Sequence, residues 1–339
     1  MTGALTDKKN TYQLTGGRLC FGWFCLFCLV LILKNTQIAM EYIHQGLRLC
    51  VKTVIPSLFP FMVISELLVS SGIGAALLRP VSSVFKKVFK LPNAGCCAVL
   101  LGMLCGFPVG ARCAVRALST GELNREEAEH VLLFSTNPSS AFLINAVGGS
   151  LWGNQKFGVL LYLSTLLSQV IVGLCFTHLP KRKETDRHSA VDFKSPIQEP
   201  TSVGKFFTDA VASSANAILL VCAYVVFFSA LGGTVNLALE HFRTPAFLKA
   251  IIFGFLELSG GMSAAAALPS TPASALLCAF AAGWCGISVH CQLLSVCSGS
   301  GIRLRTYLLA KPAQGILCAL IFGVLLCIFP AAMIPGVLC

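Results

Sequence analysis

Four ionisable side chains stand inside otherwise apolar stretches: Glu66, Arg112, Glu257 and His290. Charges in such surroundings are costly and usually functional. Arg112 can take a carboxylate through two parallel hydrogen bonds, or snorkel to a membrane face. Glu257 can pair with Arg112 or carry a coupling proton or sodium ion. Glu66 can carry the same ion or bond a neighbouring helix. His290 reads first as a packing residue. Four clusters of helix breakers accompany these groups: Gly106–Gly110, Thr136–Ser140, Glu257–Gly261 and Gly283–Ser288. Unwound backbone at membrane depth is tolerated where it is buried or lines a cavity. Half-helix N-termini there favour anions, and free carbonyls favour cations. The chemistry is therefore binding and passage. The candidate substrate-binding set is Gly106, Phe107, Pro108, Gly110, Arg112, Asn137, Pro138, Ser139, Ser140, Ser259, Gly260 and Ser263, with Glu257 and Glu66 as ion-coupling candidates. Close helix packing would explain any one break alone.

The elements that must position these groups are membrane helices. Of the 339 residues 12% are charged and 55% hydrophobic, too few charges to cover a soluble protein of this size. That excludes a soluble enzyme or nucleic-acid binder and leaves the lipid bilayer as surroundings. The net charge of +11 is read as cytoplasmic-loop lysine and arginine. Most of the 17 cysteines lie in apolar runs, Cys25 and Cys28 included. They read as packing residues, and neither a metal nor a cofactor is expected. No HExxH or GxSxG occurs, so no catalytic residue is assigned and the chain is not read as an enzyme.

Apolar runs of spanning length begin with a short uncleaved span, Leu19–Leu33. Thr53–Leu78, Val131–Gln155, Phe157–Pro180, Ala210–Leu239, Pro272–Val296 and Tyr307–Pro330 follow. Residues 36–52 have the apolar spacing of an interfacial helix. The segments near 91–118 and 248–270 read as re-entrant hairpins. The expected fold is thus an all-α polytopic membrane protein of about seven spans plus two hairpins. With the N-terminus cytoplasmic, 19 of the 25 lysines and arginines fall inside and 6 outside, as the positive-inside rule asks.

An internal repeat agrees with that layout. Leu101–Gly106 aligns with Phe253–Leu258, Phe134–Asn137 with Phe280–Gly283, and Tyr162 and Gln169 with Tyr307 and Gln314. Each copy is span, hairpin, span, span; three crossings give the copies opposite topology. The expected organisation is an N-terminal tail and first span (1–45), a first repeat (46–178), a cytoplasmic linker (179–206), a second repeat (207–330) and a C-terminal tail (331–339).

Several strings together resemble one family. They are Ile55-Pro56-Ser57-Leu58-Phe59-Pro60-Phe61, Ser65-Glu66-Leu67-Leu68, Gly106-Phe107-Pro108-Val109-Gly110-Ala111-Arg112, Gly121-Glu122, Glu126-Glu127-Ala128-Glu129 and Ser135-Thr136-Asn137-Pro138. They resemble the sporulation integral membrane protein YlbJ family. More distantly they are similar to the nucleoside-recognition gate domains and the concentrative nucleoside transporters. The resemblance implies an endospore-forming bacterium, a place such as the outer forespore membrane, and a role in moving dipicolinate, a planar aromatic dicarboxylate. The expected function is a permease for a small organic anion, with proton or sodium coupling and homo-oligomerisation left open. A nucleoside-type transporter and a non-transporting scaffold are the alternatives. Half-helix N-termini after Gly110 and Pro138 are expected to offer N–H groups to the anion.

Overall fold

The computed structural model describes residues 16–71, 86–177 and 203–329. The tails and most of the charged linker expected at 179–206 lie outside the described residues. Within them the chain is helical throughout, with no strand. In chain order the helices are α1 (Gly16–Lys34), α2 (Thr36–Leu49), α3 (Ile55–Ser70), α4 (Asn93–Cys105), α5 (Phe107–Ser119), α6 (Arg125–Ser135) and α7 (Gln155–Thr177). Then come α8 (Val203–His241), α9 (Ala246–Leu256), α10 (Leu258–Ala266), α11 (Pro272–Trp284), α12 (Gly286–Val296) and α13 (Arg305–Ile328).

Among the described residues, five stretches are long and apolar enough to cross a membrane: Thr36–Val69, Gln155–Phe176, Gly204–His241, Pro272–Val296 and Arg305–Ile328. The molecule is inside-out relative to a soluble protein. Trp23, Leu33, Leu219, Leu309, Leu320 and Ile328 are exposed, while Asn137, Gln169, Gln314 and Thr136 are buried. Apolar groups outside and hydrogen-bonded polar groups inside are the arrangement a bilayer demands.

One sequence expectation is revised. Residues 36–52 are not a separate surface helix. α2 runs through a wide π-helical turn, Cys50–Val54, into α3, so one helix covers 36–70. The turn adjoins Pro56, which has no N–H to give the ladder. The run 131–155 is interrupted at the break expected within it. α6 stops at Ser135, residues 136–139 are irregular, and a π-helical segment, Phe142–Leu151, leads on to α7.

All four expected breaks are present, each with a local cause. Gly106 has φ +96°, a conformation that favours glycine. Glu257 is extended at φ −146°. Cys285 and Gly286 both have positive φ, at 73° and 82°. Pro138 sits in the second break and bars residue 137 from helix. Starts are capped as firmly: Asn124 and Glu127 form a reciprocal box on α6, and Thr271 and Ser274 one on α11.

α4 packs against α5, and α9 against α10, as two hairpins of short helices. Glycines set both contacts. A Cβ on Gly110 would lie 2.9 Å from Gly102 Cα, and one on Gly261 would lie 2.2 Å from Gly254 Cα. α13 packs on α11 and α7, while α8 packs on α2 and α3.

Candidate functional site

The breaks meet at the centre of the bundle. Phe107 N donates to Asn137 O at 2.7 Å, joining the first break to the second. Gly286 lies against the backbone of Glu257 and Leu258, joining the fourth to the third. Cys285 Sγ reaches Thr136 O at 3.9 Å, joining the fourth to the second.

Asn137 ties the two halves of the chain together. Its Nδ2 donates to Gln169 Oε1 on α7, and its Oδ1 accepts from Gln314 Nε2 on α13 at 2.8 Å. All three are buried. Asn137 is therefore a clasp. The same two glutamines that align across the repeat converge on it.

A cavity of about 50 Å³ lies between the breaks, lined by Ser57, Phe107, Pro108, Pro138, Ser139, Glu257, Ser259 and Gln292 among others. That is room for a few waters and no organic solute. Next to it lies a cavity of about 540 Å³, lined by Tyr42, Gln45, Arg48, Lys52, Phe253, Glu257, Gly260 and Ser263 among others. Glu257 borders both. A third space of about 440 Å³ is lined by Glu66, Arg112, Arg116, Ser213 and Asn216 among others.

The three spaces are in series. Along the helix 36–70 their linings follow in order: Tyr42 to Thr53, then Val54 to Leu58, then Glu66. Along α8 they run Gly232 to Phe228, then Val225 and Val221, then Leu220 to Ser213. Met62 and Val109 fall between the linings of the second and third spaces along their helices and are buried with Ile218 in one apolar cluster.

The predicted residues thus divide among these spaces. Phe107, Pro108, Pro138, Ser139 and Ser259 surround the small central one; Gly260 and Ser263 line the large one; Glu257 touches both. Ser140 Oγ donates to Leu104 O at 3.0 Å. Gly106 and Gly110 are contact glycines, against Ser139 and against Ser135 and Gly102.

Two expectations are corrected. Arg112 does not pair with Glu257. It donates to Glu66 at 3.0 Å and to Ser213, and Arg116 holds the other Glu66 oxygen at 2.9 Å. Glu257 Oε2 instead accepts Gly260 N at 2.6 Å, capping α10. The half-helix N-terminus at Phe107 is also not open to an anion as expected, and the one after Pro138 has one N–H already taken. Phe107 N is taken by Asn137 O, and Phe142 N by Ser139 Oγ at 3.2 Å.

The Glu66 ion pairs are the best-formed charges in the third space. Glu66→Ala is expected to destabilise the protein by about 2 kcal/mol, because it leaves two half-buried guanidinium groups without their carboxylate. Glu66→Gln, which keeps acceptor and shape, is expected to lose less. Denaturation of the purified protein in detergent measures both. A loss below about 0.5 kcal/mol for the alanine variant would mean that solvent screens the pairs.

Sequence reasoning missed three cations. Arg48 and Lys52 fall in the stretch read as an interfacial helix, yet they line the cavity of about 540 Å³. Lys311, which follows Arg303 and Arg305 and is one of the 19 cations placed inside with them, is 2% exposed and lies in α13. Its position two turns inside an apolar helix was the available signal.

No family model matches the chain, and no solved structure matches it. Among curated proteins it is similar to the sporulation integral membrane protein YlbJ of Bacillus subtilis (strain 168). The identity is 27% over 327 aligned residues, covering 87% of this chain and 79% of that protein. With the motif strings noted above, this similarity supports assignment of the chain to the YlbJ family of sporulation integral membrane proteins.

Proposed function

We propose that the chain is a permease for a small organic anion, with dipicolinate the favoured solute, acting in a sporulating cell. The observation that carries the reading is the series of three spaces along α3 and α8. Glu257 borders the first two spaces, and a buried apolar cluster lies along the same helices beside the second and third. Such a series, open in part at two levels and closed between them, suits alternating access. A scaffold needs no such path.

The permease is built from two inverted copies, 46–178 and 207–330. Matched contacts support this. The two glycine-set hairpins occupy equivalent positions, Gly102 and Gly254 being 152 residues apart like their flanking strings. Tyr162 Oη donates to Met103 O at 2.9 Å, and Trp284 Nε1 donates to Phe255 O at 3.1 Å, at equivalent carbonyls of the two hairpins. The hairpin helices are 9 to 13 residues long, or about 14–20 Å, short of the bilayer core and suited to re-entry. With the buried Lys311 left out, 18 cations inside against 6 outside favour a cytoplasmic N-terminus. The third space, with Arg112 and Arg116, then faces the cytoplasm, and the large cavity faces the opposite side. The relative's name supplies the sporulating cell, and the outer forespore membrane is the proposed place.

The solute is assigned to the large cavity, whose size is that of ordinary ligand sites. Arg48 and Lys52 supply fixed positive charge there, and Tyr42 and Phe253 supply aromatic faces for a planar ring. The experiment is a binding titration of the purified protein with dipicolinate, its diamide and uridine. Dipicolinate is expected to bind best. Arg48→Ala and Lys52→Ala should each weaken it about 10-fold, the loss of one charge-assisted contact, and leave the diamide unchanged. Tight uridine binding without a response to dipicolinate would move the chain to the nucleoside reading. Binding of none of the three would favour the scaffold.

A further inference from the structure

Two half-helices end at the same point. α6 ends at Ser135 with Thr136 as its cap, and α11 ends at Trp284 with Cys285 as its cap. These ends lie within one turn of equivalent positions in the repeat: with Phe134 aligned to Phe280, Ser135 matches Ala281, three residues before the end of α11. Each helix C-terminus carries partial negative charge and carbonyls without intrahelical donors. Converging in a bilayer interior, two such ends form a seat for a cation. The atom found there is Lys311 Nζ. It donates to Thr136 O and lies 3.7 Å from Cys285 Sγ. Cys285 Sγ in turn reaches Ala282 O at 3.4 Å and Gly283 O at 3.8 Å, the last carbonyls of α11.

Three further observations bear on this. The Lys311 side chain is buried, and no carboxylate among the described residues pairs with it. A buried ammonium without a counter-ion is costly unless oriented dipoles replace the water it lost, and two helix ends do that. The Tyr307 ring, one turn earlier on α13, faces the ammonium at 5.5 Å, and the Tyr307 hydroxyl is 3.0 Å from His290 Nδ1. Finally, the position equivalent to Lys311 in the first copy is Leu166, by the spacing of Tyr162 and Gln169 against Tyr307 and Gln314. One lysine therefore serves both ends.

We infer that Lys311 is a tethered cation: its ammonium fills the seat made by the α6 and α11 C-termini, so that no inorganic cation binds there. As a statement about coupling, this rests on the permease reading and makes sodium dispensable at the central breaks. As a statement about the seat, it does not.

The test reads thermal stability and needs no solute. The purified full-length protein is melted in sodium, potassium or choline chloride, with methylammonium chloride as a fourth condition. The wild type is expected to melt at one temperature in all four. Lys311→Ala empties the seat and should melt several degrees lower in choline, with sodium or methylammonium restoring part of the shift. Lys311→Met fills the space without charge and should melt lower with no recovery. Lys311→Arg keeps the charge and should remain indifferent to sodium. A sodium-dependent upward shift in the wild type or in Lys311→Arg overturns the inference. So does Lys311→Ala that responds to neither cation. Should Lys311→Ala fail to fold, the wild type and Lys311→Arg decide the matter. Because uptake is never measured, a failed permease reading and a failed seat give different results.

Discussion

Gly261→Ala is expected to abolish accumulation of folded protein, while Gly254→Ala, on the other side of the same contact, is expected to accumulate normally. The contrast comes from the direction of the added methyl. At Gly261 it would lie 2.2 Å from Gly254 Cα and 2.6 Å from Gly254 N. Those are backbone atoms of the facing helix, so no rotamer change can make room. α9 and α10 would have to separate, and with them the break at Glu257 that their contact positions. Overpacking against side chains costs about 1–3 kcal/mol; prying two backbones apart should exceed that, at about 4 kcal/mol or more. At Gly254 the added methyl would meet Ala281 Cβ at 3.6 Å and Gly261 Cα at 4.0 Å, ordinary contact distances. Size-exclusion profiles of the detergent-solubilised variants compare the two. Equal monodisperse peaks for both would show that the second hairpin is not closed as described.

The breaks were legible in the sequence because glycine, proline and a lone acid interrupt runs that are otherwise uniformly apolar. Their pairing was partly legible, since ordered strings recur at offsets of 152, 146 and 145 residues. What a linear reading could not supply was which side chain answers which. Arg112 and Glu257 are close in repeat coordinates, and pairing them was the economical reading. The fold gives Arg112 to Glu66, because α3 and α5 run side by side away from the central breaks. The amphipathic spacing of residues 36–52 was real, but its meaning depended on a neighbour. With α8 packed along it, part of the polar face of α2 looks into a cavity, and Arg48 and Lys52 change from loop charges into lining. Lys311 was misplaced for a related reason. Arg303 and Arg305 mark a helix start, and a third cation six residues on was grouped with them. Six residues of helix are about 9 Å, enough to carry it from the surface to the buried breaks.

Asn137→Leu should cost about 2–4 kcal/mol, and the cost should nearly vanish when Gln169 and Gln314 are also made leucine. Asn137 is the point at which α7 and α13, equivalent helices of the two proposed copies, share one hydrogen-bonding side chain. The single substitution removes one amide and strands two. Gln169 Oε1 loses its donor and Gln314 Nε2 loses its acceptor, in a place where neither can reach water. Gln169 Nε2 already has no partner there, so that side chain would be left with none of its polar atoms bonded. Each stranded group costs about 1–3 kcal/mol; the lower half of that range applies because hydrogen bonds within bilayers average about 0.6 kcal/mol. The triple variant strands nothing. Three amides become three branched apolar groups of similar volume, an exchange that is close to neutral when no polar group is left behind. Unfolding in mixed detergent micelles measures the single and triple variants side by side. If the triple variant were as unstable as the single one, shape at Asn137 would be what matters, and the clasp between the copies would not be held by its hydrogen bonds. Recovery in the triple variant separates two further roles. A permease whose halves move about this point should regain its fold but not its dipicolinate binding, if the clasp also sets how the breaks meet.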